Sequence, residues 1–227
     1  MSRPLPTLSS LINRLLPTTQ LSRPLPPRAA HPSLTPQISS LQLHPSLEAA
    51  LHILNADLPS AHFLVRHMQA PPAVEGMLLH AILHRCEGDF ANARAWAGDV
   101  RDACEGWIPK HRGEKKLGDE TVKKVRGGEG VEQSLMDFVY EGGADGFSKL
   151  IDDVEKFRNM SIKRKEREEE AIQKRIKKEF DCILEWCVKK FGDHSWLDAT
   201  SAFVKDSEEI RKISNNMVSG QDGWRRF

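Results

Sequence analysis

At 227 residues the chain can hold one good domain, or a domain with substantial appendages. Its apolar content of 39% falls below the roughly 45–50% of ordinary globular domains, so part of it is expected to lie outside a packed core. The 33 basic and 32 acidic residues leave a net charge of +1, which argues against a nucleic-acid binder relying on bulk charge. No apolar run approaches the roughly 18 residues that span a bilayer.

Residues 1–45 differ in composition from the rest. Nine of the 13 prolines fall here, with Arg3, Arg14, Arg23 and Arg28 and no Asp, Glu or Lys. Proline fixes φ and removes an amide donor, so this segment is expected to be a disordered Pro/Arg-rich arm outside the fold. Leu8, Leu11, Ile12 and Leu15 keep helical spacing as a short exception. An acid-free, Arg-containing, Ser-rich start with a small amphipathic helix also fits a mitochondrial transit peptide. The expected location is cytoplasmic, with the mitochondrial matrix as the alternative.

Residues 46–105 hold the densest apolar patterning. A helix is expected from Ser46 through Leu47, Leu51 and Leu54. A second opens at Asp57 with Pro59 in its first turn, where the missing N–H costs nothing. Its stripe is Leu58, Ala61, Leu64, Val65 and Met68, and Phe63 on the other side suits the middle layer of a helix stack. The third carries Leu78, Leu79, Ile82, Leu83 and Cys86 on one face. Gly88 breaks it, and Asp89 caps a fourth helix through Phe90, Ala93, Trp96, Ala97, Val100 and Cys104.

Residues 106–130 are Gly- and Lys-rich and are expected to form a long loop, with a helical turn near 121–125. The cluster Gly127, Gly128, Gly130 lacks the Gly-Lys-Ser/Thr ending of a phosphate loop. Residues 131–227 are expected to be a helical C-terminal region. A short helix over 131–140 ends at Gly142 and Gly143, and residues 147–191 form one very long helix or two joined by a charged bridge. A final helix runs from Ser195 to Val218, leaving an aromatic-basic tail at 224–227. No stretch alternates with period two, so the fold class is all-α, with essentially no sheet.

A weak internal echo spans 32 residues: residues 55–61 (Asn-Ala-Asp-Leu-Pro-Ser-Ala) recur in outline as 87–93 (Glu-Gly-Asp-Phe-Ala-Asn-Ala). Asp57 aligns with Asp89, Leu58 with Phe90, and Ala61 with Ala93. These Asp-apolar-x-x-Ala turns resemble tetratricopeptide-type repeats, over residues 47–105. The resemblance implies stacked helical hairpins, a TPR-like core, and a protein partner held in a groove. The segment 80–90 also looks like a block of an uncharacterised fungal-type family, which implies no activity.

His80 and His84 lie one helical turn apart, and Glu87 continues the line, spacing at which one helix offers two imidazoles and a carboxylate to a metal ion. At about 100° per residue this trio centres roughly 135° from the apolar stripe, so it faces solvent or a second packed layer. In the second case Asp89, Asp57, His62 or His67 are available as further ligands. This is not the zincin pattern, because Ala81 stands where that motif has its glutamate. Arg85 beside the trio suits an anionic ligand. Cys86, Cys104, Cys182 and Cys187 form no CxxC pair and are expected as reduced thiols.

The chain is therefore expected to be a helical interaction or scaffold protein with a protein partner and no resident cofactor. The alternative is a small helical enzyme or a metal- or ligand-binding protein, with zinc or iron held by His80, His84 and Glu87 and with Asp89 as a further candidate catalytic residue. A coiled-coil dimer through residues 147–191 is a third possibility; the oligomeric state is open.

Overall fold

The computed structural model describes residues 6–126, 133–160 and 165–204. Among them are ten α-helices and no strand, an all-α fold. In chain order they are α1 (Leu8–Leu15), α2 (Thr35–Ser40), α3 (Pro45–Leu54), α4 (Leu58–Val65), α5 (Val74–Glu87), α6 (Phe90–Cys104), α7 (Asp119–Val125), α8 (Leu135–Val139), α9 (Gly143–Arg158) and α10 (Lys165–Phe191). No described helix is long and apolar enough to cross a membrane.

Helix α5 is the centre of the molecule. Met77, Leu78, Leu79, Ala81, Ile82 and Leu83 are all fully buried, on every side of the helix. A helix apolar all round must be covered all round, and α3, α4 and α6 do so. The middle layer is thus α5 rather than α4, whose Phe63 is 65% exposed. Helix α9 packs on α6, and α10 crosses α3, α8 and α9. The apolar residues of α10 (Ile172, Ile176, Phe180, Ile183, Leu184 and Cys187, with Val188 half-buried beside them) lie in this chain's own core, so they are not available as a coiled-coil seam.

The echoed turns share one geometry. Ala56 and Gly88 both have positive φ (54° and 88°). The amides of Asp57 and Asp89 reach back to the carbonyls of His52 and His84 at 2.8 and 2.9 Å, six-to-one bonds of a Schellman ending. Each aspartate then caps the next helix, Asp57 on the Ser60 amide and Asp89 on the Asn92 amide. The same ending closes α6 at Gly106, with Trp107 N–H on Asp102 O at 2.8 Å.

The arm is the main correction. Its described residues pack into the core: Leu8, Leu11, Leu15, Leu21, Leu34, Ile38 and Leu43 are buried. Proline removes donors but not acceptors, so such a chain carries surplus carbonyls. Long side chains from α9 and α10 satisfy them. Lys177 Nζ donates to Pro17 O (2.7 Å), Gln173 Nε2 to Thr19 O (2.7 Å), and Arg158 to Ser22 O and Arg23 O (3.1 and 3.0 Å). Farther along, buried Asn55 brackets the backbone of His31 through its Oδ1 and Nδ2.

Three smaller expectations also change. Residues 106–126 are not one open loop: Trp107 and Lys116 form an isolated bridge, and the expected turn near 121–125 is there as the helix α7. Gly143 opens α9 instead of only ending the helix before it. The described start of the final helix, residues 195–204, holds only a short 3-10 turn at Thr200–Ala202, because Trp196 folds back with its amide on Gln42 O at 2.7 Å. The rest of that helix and the 224–227 tail lie outside the described residues.

Candidate functional site

The His80/His84 face of α5 is covered by a second layer, and that layer brings in a third imidazole. Residues 66–73 join α4 to α5 closely, and Gly76 makes the approach possible. A Cβ on it would sit 2.2 Å from Met68 Cβ. His62, beside the buried Ala61 and Val65 of α4, thereby meets both α5 histidines. Its ring centroid lies 5.1 Å from His80 and 5.7 Å from His84, edge-on to each. The His80 and His84 rings stack at 4.9 Å, one turn apart. One ring nitrogen from each of the three falls within 4.8 Å of the other two.

Burial divides the cluster. His80 is 3% exposed and roofed by Trp96 of α6, whose ring stacks on it at 4.3 Å. Its Nδ1 has no hydrogen-bond partner. Burial first, then the neighbouring His84, His62 and Arg66, lower its pKa to about 2, so the ring is neutral wherever the protein is folded near neutrality. His62 and His84 are half-buried toward the surface.

Glu87 is not one of the three residues whose ligand atoms converge. Its carboxylate lies on the Nδ1 edge of two rings, 3.0 Å from His84 Nδ1 and 3.8 Å from His62 Nδ1. That is the position of an outer carboxylate that fixes the tautomer and orientation of ligating histidines. Asp89 lies outside the converging group, held by Asn92. Its Oδ1 accepts the Asn92 amide and its Oδ2 the Asn92 side chain, so it serves as the cap of α6. Of the other possible ligands, Asp57 accepts from Thr35 Oγ1 at 2.7 Å, and His67 lies with Phe63 and Phe203.

Arg85 does not face the cluster. It is fully buried on the opposite side of α5, with both guanidinium ends on Glu179 of α10. Tyr140 donates to the same carboxylate at 2.5 Å. Cys86 is buried too, its thiol pushed up to about 11 chiefly by burial, which suits no nucleophile. His62 was visible only as one of four possibilities. The signal for it is its place beside the inward stripe of a helix that must pack on its successor.

Compared with family models, with curated proteins and with solved structures, the chain finds no match in any of the three.

Proposed function

We propose that this protein binds one divalent transition-metal ion at His62, His80 and His84, zinc before iron. The observation that carries the reading is the convergence of three ring nitrogens within 4.8 Å, with Glu87 on the Nδ1 edges of two of the rings. Three further points support it. Neutral imidazole is the ligating form, and His80 is held neutral by burial. The buried His80 ring also leaves its Nδ1 without a hydrogen-bond partner, a polar group still open to a ligand. Three nitrogen ligands also leave a zinc ion one position for water or substrate, the arrangement of catalytic rather than structural sites.

Metal–nitrogen bonds of about 2.0–2.1 Å put tetrahedral nitrogens roughly 3.4 Å apart. Binding therefore draws His62 and His84 inward, a side-chain rotation that their position at the surface allows. Cobalt(II) titration tests this. The expected result is one equivalent taken up with the intense visible bands of a tetrahedral site, lost in His62→Ala. Weak octahedral bands unchanged by that substitution would overturn it.

A second reading, a protein-interaction surface, is favoured by exposed Phe63, whose ring lies 5.5 Å from His67, itself 5.3 Å from Phe203. A photoreactive phenylalanine analogue at position 63 should give one discrete protein adduct; a smear of adducts would end this reading. The cytoplasmic location is preferred over the mitochondrial matrix, because cleaving residues 1–45 would strip seven buried apolar side chains from the core.

A further inference from the structure

A cleft of about 720 Å³ lies at the start of α5, with none of His62, His80 and His84 in its lining, within the size range of small-molecule sites. The starts of α3 and α5, the end of α10, α7 and the segment 192–204 enclose it. One wall is aromatic. His44 stacks flat on Phe191 at 3.5 Å and 3°, and Trp196 stands edge-on to both rings. The wall is held in place by polar bonds outside the cleft's opening. His44 Nδ1 accepts the Ser46 amide at 3.2 Å, and Trp196 Nε1 donates to Phe191 O at 3.2 Å.

The floor is polar but balanced. Buried Glu75 accepts from Trp186 Nε1 and Lys190 Nζ, both at 2.7 Å on the same oxygen. The rim is basic. Lys123 and Lys124 of α7 are both exposed at the opening, and Lys123 pairs with Glu120 at 2.9 Å. Three lysines therefore face two glutamates in the lining, an excess of one positive charge that sits at the mouth.

We infer that this cleft binds a small amphipathic anion, a flat apolar body with one carboxylate, sulfonate or similar group. The body fits between Phe191, Trp196 and Phe203, and the anionic group meets Lys123 and Lys124. Aromatic walls favour a planar body over a branched one, because ring stacking adds to area burial. A cationic ligand would place like charge against the rim lysines, and a neutral one would leave their excess positive charge unmatched.

The test uses the full chain and 2-naphthoate as probe, by calorimetric titration with Trp fluorescence as a second readout. Saturable binding of one equivalent is expected. Affinity should fall at least tenfold in Lys123→Glu/Lys124→Glu, both surface positions that leave the core intact. Ala202→Trp fills the cleft and should abolish binding. 2-Naphthalenemethanol, the uncharged analogue, should bind more weakly and lose nothing in the lysine variant. Binding that is unsaturable, survives Ala202→Trp or ignores the lysine charge reversal would overturn the inference. Far-UV circular dichroism identical to the parent chain, with a cooperative thermal transition, identifies which variants remain folded. Should Ala202→Trp not fold, the lysine variant decides alone. His62→Ala should leave naphthoate binding unchanged, so this site stands or falls independently of the metal centre.

Discussion

Arg85 and Glu179 stand 94 residues apart in sequence and meet with both guanidinium ends on both carboxylate oxygens, neither side chain exposed by more than 1%. At the other end of α5, Glu75 holds Trp186 and Lys190. Ten residues along α5 thus match seven to eleven along α10, running the opposite way. These two clamps set the rotation of α5, and with it the face on which His80 and His84 appear.

A buried pair of this kind contributes little net stability but is costly to break. Arg85→Met alone leaves Glu179 buried with Tyr140 as its remaining donor and should cost about 3–5 kcal/mol. Arg85→Met/Glu179→Met should recover at least half of that, the residue of the loss being the orphaned Tyr140 hydroxyl. Urea unfolding of the single and double variants checks this; a double variant worse than the single one would contradict it.

Gly76→Ala sets two effects in opposition. Helix propensity favours alanine by roughly 1 kcal/mol. The added Cβ, however, would lie 2.2 Å from Met68 Cβ, which is tied to its backbone and cannot swing aside. Overpacking typically costs about 1–3 kcal/mol, so a net destabilisation is expected, accompanied by weaker metal binding as α4 is pushed from α5. A more stable variant would mean that the α4–α5 connection yields easily.

Leu15 of the arm is 1% exposed. Leu15→Ala should cost about 2–5 kcal/mol, as for any core leucine. Thermal unfolding measures it, and no change would show the arm to be detached in solution.

How much of this was legible beforehand depends on range. The turns at Asp57 and Asp89, the starts of α3 to α6 and the helical character of α9 and α10 rest on local signals: an aspartate cap, a residue that accepts positive φ, and apolar spacing. The arm misled because its proline content is a local fact, whereas the donors that satisfy it (Arg158, Gln173, Lys177) lie more than 130 residues away. His80 and His84 were legible because they share one helix. His62 needed the α4–α5 packing, and Glu87 and Asp89 needed hydrogen bonds that spacing alone does not specify.

His44 should make stability depend on acid. Burial, and secondarily Lys190, lower its pKa from 6.5 to about 3. The unfolded chain therefore takes up a proton near pH 6.5 that the folded chain refuses. Its contribution is complete above pH 6.5 and declines as pH falls toward 3, by up to ~1.4 kcal/mol per pH unit. His44→Asn keeps a capping acceptor without titrating. Unfolding midpoints at pH 7 and pH 5 should converge in that variant relative to the parent; an unchanged difference would assign the acid sensitivity elsewhere.

The most direct test of the metal centre is calorimetric titration of the chelator-treated chain with zinc. One equivalent should bind at micromolar or tighter affinity, and His62→Ala should weaken it far more than Asp89→Asn. Glu87→Gln should weaken it about 10–100-fold, the usual effect of losing an outer carboxylate. Zinc binding that is absent, or that is indifferent to His62→Ala, would contradict the proposed function.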